Sequence, residues 1–169
     1  TEKAGGNGSE MGFSTASLYE ELIGMGDYRY CVSLQVTHPE RDLEFLSTEL
    51  QIDPFVVWKI GEPRTSPKGT PLDGVYKYNR WAAKLHDKKR LHSNELNLED
   101  FLDQLNKKLL PHKAQFKEIV ETGGYIEYFV GWFSEENIMA CFSPDLLKET
   151  AELNVAIGLD IYAYTEDVI

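Results

Sequence analysis

An α+β fold, with a mostly antiparallel sheet and helices packed on one face, is predicted by three features of this sequence. Apolar and polar residues alternate over 28–36, where Tyr30, Val32, Leu34 and Val36 are set against Arg29, Cys31, Ser33 and Gln35; that is the period of a half-buried strand. Leu43, Leu46 and Leu50, and later Leu98, Leu102, Leu105 and Leu109, recur at the spacing of a helix buried along one stripe. The element order then reads strand, helix, short strands, long helix, strand pair, helix, strand. Residues 28–50 and 125–153 share a strand-then-helix plan. This points to a ferredoxin-like split unit or to duplicated strand-helix units, without a residue-level repeat.

Residues 1–27 read as a flexible N-terminal segment with a short helix over 18–25. Ser17 precedes Leu18, and Glu20 follows three residues after the serine, which is a capping box; Gly24 and Gly26 end the helix. Residues 28–169 read as a single α+β domain, of a size that buries a core unaided. After the first strand, Pro39 suits a first helical turn, and Leu43, Leu46 and Leu50 alternate with Glu40, Asp42, Glu44 and Glu49. Prolines at 54, 63, 67 and 71 and glycines at 61, 69 and 74 predict a long loop over 52–74, held by Phe55, Val57 and Trp58. Tyr76, Tyr78 and Trp81 favour one or two short strands over 75–85, and the basic stretch 84–92 turns out of them.

Asn97 caps a helix whose apolar face is Leu98, Phe101, Leu102, Leu105 and Leu109. Pro111 kinks it or starts a second segment with Phe116, Ile119 and Val120, and Gly123 and Gly124 stop it. The run 125–133 is so continuously apolar that it reads as a central strand covered on both faces, paired across a turn with a strand over 138–142. Ser143 and Pro144 open a helix through Leu146, Leu147 and Leu153, and a last strand over 155–162 turns Val155, Ile157, Leu159 and Ile161 inward.

Twenty-eight acidic residues against 17 basic ones give a formal charge of -11. That field repels phosphate backbones and anionic lipid, so neither nucleic acid nor a membrane surface is an expected partner, whereas a basic protein is. Cys31 and Cys141 are too few for a disulfide framework and are not spaced as metal ligands, so two buried reduced thiols are expected. No apolar run approaches the roughly 20 residues of a membrane span, nor does a secretory layout open the sequence, so the expected compartment is cytoplasmic.

No nucleophile elbow or phosphate-cradling glycine motif is present, so no catalytic residue and no cofactor is assigned. His86, Asp87, His92 and His112 match no metal box; with Lys88, Lys89 and Arg90 they read as a solvated turn. The informative stretch lies at 58–64. Trp58, Lys59, Gly61, Glu62 and Arg64 gather an aromatic, cations and a flexible glycine outside regular structure, with Trp81 as a neighbour. The competing role for Trp58 is to pin its loop by burying roughly 150–250 Å². A second candidate is the other sheet face, where Arg29, Gln35, Glu127 and Asp160 point away from the core with Tyr125 and Phe129.

The run Ile52-Asp53-Pro54, then Trp58-Lys59-Ile60-Gly61-Glu62-Pro63, Gly69 and Trp81 resembles the signature of the bacterial family named domain of unknown function 4279. Phe142-Ser143-Pro144-Asp145-Leu146-Leu147 and Leu159-Asp160-Ile161-Tyr162 resemble its ending, so the likeness spans 28–162. The resemblance implies no established activity and carries over no catalytic residue. Small acidic proteins of this kind resemble immunity proteins, which neutralise a bacterial toxin by occluding its active site. The expectation is therefore a non-enzymatic protein-binding module, an immunity protein with a basic toxin domain as its partner. The alternative is a small-molecule-binding protein or enzyme using the 58–68 loop, with Trp58 and Trp81 stacking a flat ligand and Lys59, Arg64 or Lys68 meeting an anion. A third possibility is a regulatory subunit that docks through the helix over 18–25.

Overall fold

Side chains of a strand alternate between its faces, so the sheet's two sides follow directly from the first strand, β1 (Arg29–His38). Tyr30, Val32, Leu34 and Val36 are buried on one side, while Arg29, Cys31, Gln35 and Thr37 are half-buried on the other. The computed structural model describes residues 27–135 and 138–163, so the helix expected over 18–25 lies outside the described residues. After β1 come α1 (Phe45–Leu50), β2 (Val56–Trp58), β3 (Pro63–Thr65), β4 (Pro71–Val75), β5 (Asn79–Lys84) and β6 (Leu91–His92). The chain continues through α2 (Leu98–Leu109), a 3-10 turn (Leu110–His112), α3 (Lys113–Glu121), β7 (Tyr125–Ser134), α4 (Pro144–Glu152) and β8 (Ala156–Ala163).

The main sheet has the order β2-β5-β1-β7-β8, with β6 also paired to β1, while β3 and β4 form a separate two-stranded arm. Every pairing is antiparallel except β7 with β8, which α4 joins as a crossover. The structure is thus an α+β fold with a mostly antiparallel sheet. β1, α1 and β2 form a split unit, because β5 lies between the parallel strands β1 and β2. In β7, α4 and β8 the strand-helix plan recurs, with its two parallel strands adjacent.

The helices cover the face that carries Tyr30. Asn97 Oδ1 accepts the Asp100 N–H at 2.8 Å and Ser143 Oγ accepts that of Leu146 at 3.2 Å, so both expected caps form, each worth about 1 kcal/mol. Pro111 falls in the 3-10 turn between α2 and α3, which is the expected break. Leu98, Leu102, Leu109, Phe116 and Ile119 meet Val32, Leu34, Ile126, Tyr128 and Val130 in the core. A polar chain crosses it: Tyr128 Oη donates to Asn106 Oδ1 at 3.1 Å, Asn106 Nδ2 to Thr150 Oγ1 at 2.8 Å, and Thr150 Oγ1 to the Leu146 carbonyl at 2.8 Å. It ties β7, α2 and α4 without leaving these buried groups unpaired.

Several expectations are corrected. Residues 52–74 are not one loop but hold β2, β3 and most of β4; Pro63 and Pro71 are tolerated because they start edge strands, where the missing N–H costs no central ladder bond. The helix after β1 begins at Phe45 rather than near Pro39. Residues 138–142 are not a strand, since both edges of β7 are taken by β1 and β8; the Cys141 N–H donates instead to the Glu99 carboxylate at 2.8 Å. Cys31 and Cys141 are part-exposed rather than buried. β7 is buried chiefly on the helix side, with Glu127, Phe129 and Phe133 half-buried on the other. Along β8, Leu159 and Ile161 share the face of Val130 and Trp132 yet are exposed, because they lie at the sheet's edge.

Candidate functional site

Register brings Trp58 on β2 opposite Arg80 on β5, so their side chains share one face of the sheet. The Trp58 ring stacks on Tyr76 with centroids 4.4 Å apart and planes within 10°, and Tyr78 approaches at 6.2 Å. The Arg80 guanidinium lies over the Trp58 ring at 5.0 Å and donates through Nη2 to Gln35 Oε1 in a short bond. Each of these ring contacts contributes on the order of 1 kcal/mol beyond area burial. Trp58 Nε1 and Arg80 Nε are buried and meet no hydrogen-bond partner among the described residues.

The stack fastens the β3–β4 arm to the sheet. The Thr65 N–H donates to Tyr76 Oη at 3.2 Å, the Tyr76 N–H donates to the Glu62 carbonyl at 3.0 Å, and the Gly61 N–H donates to the Tyr76 carbonyl at 3.0 Å. Gly61 makes the turn at φ +83°, a left-handed conformation that a side chain disfavours. Glu62 accepts the Lys59 N–H at 3.0 Å within that turn. Lys59 Nζ reaches back to Asp42 Oδ2 at 2.7 Å and Glu44 Oε2 at 2.8 Å. The hydrogen bonds to Asp42 and then Glu44 raise the Lys59 pKa, and the bond from Lys59 chiefly lowers that of Asp42. Arg64 Nη1 donates to the Asp73 carbonyl at 3.4 Å across the arm, and Lys68 is exposed at its tip.

Trp81 is not brought to this cluster. As the residue after Arg80 it points to the other side of the sheet, where it is fully buried and its indole N–H donates to Ser47 Oγ at 2.9 Å. Tyr76 and Arg80, which sequence reasoning did not single out, take the place beside Trp58. Along the same segment Phe55, Val57, Ile60, Leu72, Val75 and Tyr78 are each at least 40% exposed, with Val57 on the face of Trp81 rather than that of Trp58. The segment 55–78 holds four cations and two anions in a chain of net charge -11. Glu40, Asp42, Glu44, Glu49 and Asp53 precede it in the chain, and Asp42 and Glu44 border the arm through their ion pairs with Lys59.

The other candidates lie elsewhere in the fold. Gln35 pairs with Glu127, Ser33 with Phe129 and Gly131 with Asp160 across the second face, as the alternation implies. His86 is half-buried rather than solvated; its Nε2 accepts the Val32 N–H at 3.1 Å, and burial lowers its pKa. His38 Nδ1 accepts the N–H groups of Glu40 at 3.0 Å and Arg41 at 2.7 Å, and Nε2 meets Thr122 Oγ1 at 3.1 Å. Beside it a depression of about 330 Å³ is lined by Glu40, Arg41, Glu118 and Thr122, with Arg41 paired to Glu118 at 3.2 Å. Among the described residues no helix is long and apolar enough to cross a membrane.

No curated protein and no solved structure matches the chain. The family described as Domain of unknown function (DUF4279) matches residues 27–164, a span that includes the sheet, the helices and the whole Trp58 arm. The protein therefore belongs to the DUF4279 family.

Proposed function

We propose that this chain is a non-enzymatic protein-binding module, an immunity protein that occludes a basic toxin domain with the β2–β4 arm. The observation that carries the reading is the density of exposed apolar side chains on a braced arm, from Phe55 to Tyr78. Exposed apolar clusters rimmed by charge mark interaction surfaces, and pre-ordering by the Trp58–Tyr76 stack lowers the entropy cost of binding. The carboxylates around α1 steer a basic partner to the neighbouring apolar surface. The reading places the chain in the cytoplasm, where Cys31 and Cys141 stay reduced. The test is co-purification with the product of the adjacent gene, followed by titration calorimetry at low and high salt. Binding that weakens with salt and is lost in Ile60→Asp is expected; no complex, or one indifferent to Ile60→Asp, refutes this use of the arm.

A second reading has one observation in its favour, the unpaired Trp58 Nε1 and Arg80 Nε donors on cross-strand neighbours. Buried donors without partners are rare and suit an acceptor-bearing small molecule. A thermal-shift screen of metabolite carboxylates tests it, and stabilisation that survives Arg80→Met would exclude this site.

A further inference from the structure

β8 closes the sheet at the end away from the Trp58 arm, and among the described residues its one neighbour is β7. Its outer edge therefore presents the backbone N–H and C=O groups that β7 does not take. Soluble proteins guard such edges with lysine, proline, bulges or inward charge. The segment Ala-Ile-Gly-Leu-Asp-Ile-Tyr-Ala contains neither lysine nor proline and a single charge, Asp160. Its pairing with β7 runs unshifted from Glu127–Ala156 to Ser134–Ala163, so no bulge bends it away. On the helix side Leu159 is 44% and Ile161 71% exposed, and on the other side Tyr162 is 44% exposed while stacking on Phe133 at 4.9 Å.

We propose that β8 is a self-association edge, through which two copies of this chain pair antiparallel about a two-fold axis at Leu159. The strand's own pattern selects both the occupant and the register. Pairing residues must share a face, so the axis of such a pair passes through a residue rather than between two. An axis at Asp160 sets that carboxylate opposite its own copy, and like charges directly opposed destabilise a pair. An axis at Gly158 pulls Ile161 past the end of the strand. An axis at Leu159 uses the strand from 156 to 162: Leu159 meets the partner's Leu159, Ile157 meets the partner's Ile161, and Asp160 faces the partner's Gly158. The exposed apolar stripe of one copy then continues into that of the other, and each Asp160 lies opposite a glycine, over which that copy's own Glu127 carboxylate reaches, a like charge that salt screens. Asp160 also accepts a hydrogen bond from Tyr162 Oη in its own strand, so its charge is partly met before pairing. The chain's charge of -11 opposes association at long range, so screening strengthens it.

Sedimentation equilibrium of the full chain, from micromolar to millimolar concentration at low and high salt, tests the proposal. A monomer–dimer equilibrium whose dimer is favoured by salt is expected. Ile161→Lys, at a site already exposed, should weaken it by at least about tenfold with circular dichroism unchanged. Leu159→Cys should trap a disulfide-linked dimer under mild oxidation, while Leu72→Cys on the distant arm should not; this arm holds even if the lysine variant fails to fold. A monomer at millimolar concentration in both salts, a dimer indifferent to Ile161→Lys, or equal trapping by both cysteine variants would overturn it.

Discussion

The Trp81 indole N–H on β5 donates to the Ser47 hydroxyl on α1 at 2.9 Å, with the Trp81 end in the core and the Ser47 end half-buried. It is the polar pin between the sheet and that helix. Ser47→Ala leaves the buried indole without an acceptor, which costs about 1–3 kcal/mol. Trp81→Ala removes the largest of the fully buried side chains and should cost about 3–5 kcal/mol. Urea denaturation measures both; a loss in Ser47→Ala well below 1 kcal/mol would show that the bond is dispensable.

Trp58→Ala should cost far less, about 1–2 kcal/mol, because the residue packs on the half-buried side of an edge strand. Its larger effect is local. Without the stack the β3–β4 arm loses its brace, so trypsin should cut after Arg64 or Lys68 faster than in the parent chain while the global midpoint barely moves. Unchanged cleavage would mean that the Tyr76 and Gly61 backbone bonds hold the arm alone.

Asn106→Leu breaks the chain of bonds from Tyr128 to Thr150 at its centre. The Tyr128 hydroxyl then loses its acceptor in the core, and a loss of about 1–3 kcal/mol is expected. Adding Tyr128→Phe should restore part of that loss, since the orphaned hydroxyl is gone; a strictly additive double mutant would count against the network.

His86 supplies a pH dependence of defined sign. Burial holds its folded pKa below the ordinary 6.5, so the unfolded chain takes up a proton first as pH falls. Its contribution to stability is full above about pH 6.5 and is lost between that value and the lower folded one. His86→Gln keeps an acceptor for the Val32 N–H and removes the titration. Between about pH 7.5 and about 5.5 the denaturation midpoint should therefore fall less in the variant than in the parent. An identical fall would assign the acid sensitivity to other groups.

The long periodic elements were legible because their signal is local: the alternation of β1, the leucine stripe of α2 and the Asn97 and Ser143 caps all fold as read. β2, β3 and β4 were not, since strands of three to five residues with no buried side chain carry no alternation to detect. The run 138–142 is apolar enough for a strand, but whether a sheet edge is open to it depends on β8, which lies later in the chain. The same limit applies to Leu159 and Ile161, whose facing was readable while their cover was not. At the candidate site Trp58 stood out, yet Tyr76 and Arg80 are its neighbours only through cross-strand register. The parity that sends Trp81 away from Arg80 was in plain view.

β1 occupies the middle of the sheet, yet its partners β5, β6 and β7 all follow it in the chain, the last ending at Ser134. During synthesis this apolar strand leaves the ribosome long before the segment that shields its second edge exists. Non-local pairing of this kind folds slowly and leaves nascent chains exposed to aggregation. The order of the strands thus exposes β1 to chaperone capture, and moving β7 ahead of β1 by circular permutation would let β1 emerge with one edge partner already made.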